Sequence, residues 1–232
     1  MSKIFISLRD VSVRFKMSGN ASKTGYVEPL KGISLDVRAG ETLGILGANG
    51  AGKSTLLKIM SGALRPDGGK VINRGASVAL LALQAGFDSN LSGRDNAIFG
   101  GMLLGYTRKE VLQRLEEVKA YSELGDFFDE PVRKYSSGMS ARLGFAISTI
   151  ISPDVLLVDE VLSVGDAHFK QKAERTMMLK IAAGQTVVFV SHSRSQVANL
   201  CDRCLIINHG SLVGGESIDE TLCMYDDIIR QL

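Results

Sequence analysis

The stretch GANGAGKS, Gly47 to Ser54, constrains the fold more than any other part of the chain. It satisfies the spacing G-x-x-x-x-G-K-[ST] in full. Glycines at these positions let the backbone curl so that successive N–H groups point at phosphate oxygens, and a following helix adds its positive end. Both required flanks are present. ETLGILG before it reads as a short buried strand, and KSTLLKIMSG after it carries apolar residues at helical spacing, stopping at Gly62. Lys53 is placed for the β- and γ-phosphates of a nucleotide, and Ser54 for a Mg²⁺ ion. The candidate nucleotide contacts are Gly47, Asn49, Gly50, Ala51, Gly52, Lys53, Ser54 and Thr55.

A second element supports the first. VLLVDE, Val155 to Glu160, is an apolar run closed by two acids. A buried strand delivering Asp159 at its carboxyl end suits a Mg²⁺ ligand, and Glu160 then stands where it would orient or deprotonate an attacking water. Three single residues gain meaning from this pair. Gln84 follows an apolar run and would reach the metal or the water. His192 ends VVFVSH and would donate to the γ-phosphate, and Asp166 belongs to SVGD. Taken singly, each is as well read as a solvated strand-end, a structural histidine or a helix cap.

YSSGMSARLGFAIS, Tyr135 to Ser148, sets two serines and a glycine before an apolar helical pattern. Ser136 or Ser137 can cap that helix. Met139, Leu143 and Ile147, extended by Ala146 and Ile150, form a stripe that suits packing.

The remaining sequence fixes the class. Residues 4–15 alternate as a strand or a tight pair of strands, 16–29 is polar with Gly, Ser and Pro and reads as a long surface loop, and 30–40 alternates again. Residues 88–150 carry charges around apolar positions three and four apart, a mostly helical insertion. From 155 onward VLLVDE, TVVFVSH and RCLIINHG alternate with helical segments, which predicts parallel strands with crossovers. A net charge of +2 with scattered basic residues gives no electrostatic case for nucleic acid as a partner. No apolar run approaches the roughly 18 residues of a membrane span. The N-terminus has charges within its apolar stretch, unlike a secretory signal. Cys201, Cys204 and Cys223 lack the second pair that a structural zinc site needs, and read as buried, reduced thiols.

The order of these motifs resembles the ATP-binding subunit of ABC transporters across nearly the whole chain. The matching pieces are the Walker A loop 47–54, Gln84, a signature at 135–139, the Walker B strand 155–160, a D-loop at 163–166 and His192. That resemblance implies an α/β P-loop NTPase (RecA-like) core, an N-terminal antiparallel β part and a helical subdomain at about 88–150. Residues 1–232 would then form a single ATP-binding domain. It further implies a head-to-tail homodimer enclosing two ATP, with Mg²⁺. Ser136, Ser137, Gly138 and Met139 would act in trans on the second copy's nucleotide. An aromatic residue would stack on adenine, with Phe15 the best match and Tyr26 its rival.

The signature here is Tyr-Ser-Ser-Gly-Met where LSGGQ is usual, DEV stands for DEP, and SVGD for SALD. With GFDSNLSGRDNA and DEVLSVGDAHFKQK, these departures are similar to the branch that exports lipid-linked polysaccharides such as O-antigen, capsule or teichoic acid. The resemblance then implies two copies of an integral permease docking near 88–134, a lipid-linked glycan as cargo, and a place on the cytoplasmic side of the membrane. With the sequence ending at Leu232, the C-terminal carbohydrate-binding domain of some such exporters is not expected here. An ABC ATPase for another cargo, a soluble ABC ATPase and a non-catalytic nucleotide-regulated module are the competing readings.

Overall fold

The computed structural model describes residues 3–16, 25–81, 86–159, 166–215 and 217–230, which divide between two compact units. The first comprises Met1–Ala76, Leu157–Glu160 and Gly184–Leu232. Alternating residues build its antiparallel sheet from β1 (Ile4–Lys16), β2 (Tyr26–Arg38) and β4 (Gly68–Asn73), in the order β2-β1-β4. Ile6, Leu8, Val11 and Val13 of β1 bury with Leu30, Ile33, Leu35 and Val37 of β2. Residues 4–15 are therefore one strand and not a tight pair. Asp10, at φ 54°, absorbs the break between the two alternating stretches, where the pairing register shifts.

Part of the stretch expected as a long loop at 16–29 is strand. β1 runs to Lys16 and β2 begins at Tyr26, with Phe15 opposite Val27 and Lys16 opposite Tyr26. Backbone pairing needs no apolar side chain, so an exposed hairpin end is invisible to a hydrophobicity reading. Pro29, which cannot donate to a ladder, sits in the stretch of β2 that takes up the irregularity between the Val13 and Phe15 pairs.

β3 (Thr42–Leu46) is buried along its whole length between parallel partners β7 (Thr186–Ser191) and β8 (Arg203–Asn208). β9 (Ser211–Val213) adds an antiparallel edge, and the carboxyl half of β6 (Val155–Asp159) lies on the far side of β7. β3 and β7, buried along their whole length, read as continuous apolar runs, as strands covered on both faces do. The helices of this unit are α1 (Lys53–Met60), α6 (Arg194–Leu200) and α7 (Ile218–Arg230). Gly44 lets α6 close on β3, since a Cβ there would stand 2.8 Å from Val197 and 2.9 Å from the Cys201 sulfur. Burial pushes the Cys201 thiol up to about 12, and Cys204 is also buried. Cys223 is exposed, against the expectation of three buried thiols, because it faces away from the Thr221, Leu222 and Tyr225 stripe of α7.

The second unit comprises Ser77–Leu156 and Val161–Ala183, and the helical stretch expected at about 88–150 falls within it. It holds β5 (Val78–Leu80), the start of β6, α2 (Gly93–Leu103), α3 (Arg108–Ser122), two short 3₁₀ turns, α4 (Ser137–Ile150) and α5 (Ala167–Ala182). Leu115, Val118, Phe128, Leu143, Ala146 and Ile147 form its core. α4 buries a second face as well. Phe145 packs with Tyr121 and with Phe169, both ring pairs about 6 Å apart (6.0 and 6.1 Å), and this draws α5 into the unit. No helix among the described residues is long and apolar enough to cross a membrane.

Candidate nucleotide site

The glycine-rich loop leaves the buried end of β3 and enters α1 through two left-handed residues, Gly50 at φ 80° and Gly52 at φ 112°. At Gly52 a Cβ would stand 2.2 Å from the Pro29 carbonyl oxygen, so the turn admits only glycine. Lys53 is 7% exposed, and its Nζ donates to the carbonyls of Gly47 at 2.8 Å and Ala48 at 3.0 Å. The loop's own carbonyls thus hold the ammonium against the start of the loop.

The start of α1 differs from the other helices. On α2 to α6 the side chains of Ser92, Thr107, Ser136, Asp166 and Ser193 each accept a hydrogen bond from a first-turn N–H. Gly52 offers α1 no such acceptor, and no acid lies in its first turn. A helix N-terminus left without a side-chain acceptor, beside a buried cation, is built for an anion. Ser54 is exposed beside it and Thr55 is half-buried.

Strand order brings the other candidates to the same end of the sheet. Leu46 pairs with Ser191, so Gly47 and His192 leave neighbouring strands side by side, and Asp159 ends β6 next to β7. Ala48, Asn49 and His192 line a cavity of about 720 Å³ with Tyr225, Asp226, Ile229 and Arg230 of α7. Phe15 and Tyr26 are both exposed, at 45% and 52%. Phe15 continues the alternation of Val11 and Val13, and Val13 pairs with Leu30, whose side chain approaches Gly52. Tyr26 is paired with Lys16 and falls on the opposite face. Gln84 and Glu160 lie outside the described residues, as do 163–165 of the expected D-loop.

The signature belongs to the second unit. Ser136 is the cap, its Oγ accepting the Met139 N–H at 3.2 Å, while Ser137 opens α4 and is exposed, with Gly138 beside it. Tyr135, where leucine is usual, packs its ring on the helical core and donates its hydroxyl to the Phe127 carbonyl at 2.6 Å. Burial, with Asp129 nearby, pushes its phenol up to about 12 from the ordinary 10.0. Tyr135→Phe should lose about 1 kcal/mol in urea unfolding. A phenol that holds its proton more tightly when folded stabilises fully below pH 10.0, so stability should fall as pH rises from 10.0 to about 12. The phenylalanine variant should lack that component of the slope.

Asp166 divides its carboxylate. One oxygen caps α5 by accepting the Phe169 N–H at 2.9 Å, and the other meets the Arg142 guanidinium of α4. The Phe169 N–H, with Arg142 beside it, holds this carboxyl below the usual range. Arg142 also lies 5.1 Å over the Phe169 ring and 3.7 Å from Glu123, which Lys172 binds at 2.6 Å. Arg142, Tyr225 and Asp226 escape a reading of the sequence, because their partners lie 24 to 33 residues away and no periodicity links them.

The chain matches the family model described as ABC transporter over residues 30–163. It is 47% identical over 184 residues to the O-antigen export system ATP-binding protein RfbB of Myxococcus xanthus, covering 79% of this chain and 42% of that protein. The chain thus spans less than half the length of that relative. The O-antigen export system ATP-binding protein RfbE of Yersinia enterocolitica is 40% identical over 217 residues, 92% of this chain and 90% of its own. Among solved structures, a dimeric post-hydrolysis state of an ATP-binding cassette bound to ADP and Pi superposes with a TM-score of 0.74 at 22% identity, covering 92% of this chain and 98% of that one. It has the same fold.

Proposed function

Because this chain belongs to the ABC transporter family, we propose that it is the ATP-hydrolysing subunit of an exporter for a lipid-linked polysaccharide. It works as a homodimer on the cytoplasmic face of the membrane, against an integral permease present in two copies. The observation that carries the ATPase reading is the junction at Gly52, where an uncapped helix start and the buried Lys53 ammonium meet. Lys53 exchanges its carbonyl partners for β- and γ-phosphate oxygens, and the α1 N–H groups take the rest of that charge. Phe15 stacks on adenine. His192 donates to the γ-phosphate, Gln84 orients the attacking water, and Glu160 takes its proton. Ser54 and Asp159 offer the hard oxygen ligands that Mg²⁺ favours, and would hold it with the phosphates. The ion, when bound, supplies charge neutralisation on the β- and γ-oxygens.

The exposed Ser136 and Ser137 and the half-buried Gly138, at the positive end of α4, are assigned to the γ-phosphate held by a second copy. ATP then closes the pair and hydrolysis reopens it, the permease converting the change into export. O-antigen export by the relatives supports the cargo class, together with the YSSGM and SVGD variants. Full unstimulated turnover without association with any membrane protein would overturn the transporter assignment.

The dimer has a separate test. Ser137 is exposed at the first position of α4, so Ser137→Arg places its added bulk and charge on the surface. ATP binding by the isolated chain should persist, while hydrolysis falls at least about tenfold as bulk and charge enter the shared site. Normal hydrolysis would return the serine pair to a plain helix cap.

A further inference from the structure

The carboxyl-terminal helix α7 carries none of the motifs, yet it is bonded to the segment that carries His192. Tyr225, 6% exposed, donates its hydroxyl to the His192 carbonyl at 3.3 Å. One residue on, Asp226 pairs with the Arg194 guanidinium at 3.2 Å. Successive residues of α7 therefore bind the residues on either side of Ser193. Local bonds also hold this segment. Ser191 Oγ donates to Gln196 and accepts the Ser193 N–H, both at 2.9 Å, and Ser193 caps α6. These fix the backbone before and after His192, whereas its carbonyl is held from α7. Tyr225 and Asp226 also wall the cavity that His192 shares with Ala48 and Asn49 of the phosphate loop.

We propose that Tyr225 and Asp226 are positioning residues for the hydrolysis reaction, α7 clamping the His192 turn so that its imidazole is presented to the phosphate end of the loop. A peptide carbonyl fixed in place fixes the φ and ψ beside it, and with them the direction of the side chain. An imidazole displaced by an ångström loses the alignment that a γ-phosphate contact needs. The inference rests on the ATPase reading above and assigns that site a control element distant in sequence.

The test uses the full chain and five proteins: wild type, Tyr225→Phe, His192→Ala, their double variant and Asp226→Asn. Phenylalanine keeps the buried ring and removes only the hydroxyl. Tyr225→Phe should cut kcat for ATP hydrolysis by between about tenfold and a hundredfold, leaving KM and the Kd of a non-hydrolysable ATP analogue within about twofold. In the His192→Ala background the same change should alter residual turnover less than about twofold, because the residue acts through His192. Asp226→Asn should show a smaller loss with the same kcat-against-KM split. Normal kcat in Tyr225→Phe, or an equal loss with His192 already removed, overturns the inference. Wild type without hydrolysis, or unchanged turnover in His192→Ala, overturns the reading it rests on instead.

Discussion

Lys53→Met should abolish tight nucleotide binding and turnover together. Methionine keeps the length of the stem but carries no charge and no donor. A charge-assisted hydrogen bond contributes about 1.5–3 kcal/mol, so affinity for ATP should fall between about tenfold and a hundredfold in a direct titration. Turnover should fall further, below about one per cent of wild type, because charge on the transferring phosphoryl is what this ammonium meets most strongly in the transition state. The variant should still fold, since Lys53 contributes no core packing beyond its stem. It does leave the Gly47 and Ala48 carbonyls without their Nζ donor. A modest drop in thermal stability alongside the binding loss is therefore expected. Wild-type affinity in Lys53→Met would separate this loop from phosphate altogether.

Glu160→Gln should have the opposite profile in binding and an equally large effect on rate. Glutamine preserves shape and hydrogen bonding but cannot take a proton, and general-base catalysis is commonly worth about 10²–10⁴-fold. ATP affinity should hold while turnover collapses, and the ATP-bound chain should accumulate as a dimer in size-exclusion chromatography with light scattering. In cells this variant should stop export of the glycan while its synthesis continues. Near-normal hydrolysis would remove Glu160 as the base. A monomer that binds ATP with high affinity would remove the two-copy site, and Ser137→Arg would then have no effect either.

How far these residues could be read from sequence followed from the range of the interactions that define them. The turn into α1 was legible because a glycine at positive φ, the cation and the helix start lie within eight residues, Gly47 to Ser54. The caps were legible for the same reason, each bridging a first turn; choosing Ser136 over Ser137 needed coordinates. The hairpin end at Lys16 and Tyr26 was hidden, since its exposed side chains carry no burial pattern. The tie between α5 and α4 was hidden as well, because it runs through Phe169 ring contacts that no local spacing announces.

By itself the sequence determined local elements: a glycine-rich turn ahead of a lysine, two acids after an apolar run, and a helical pattern with two serines at its start. These are local properties, set by backbone freedom and by side chains a few residues apart. Only the tertiary structure decided which groups support them. It set Pro29 over Gly52, allowing nothing larger than glycine there, and placed Phe15 rather than Tyr26 on the face nearer the loop. It joined Arg142 to Asp166 across 24 residues and Tyr225 to His192 across 33. Such contacts exist once the chain has closed on itself, because their partners have no fixed separation until strands and helices pack.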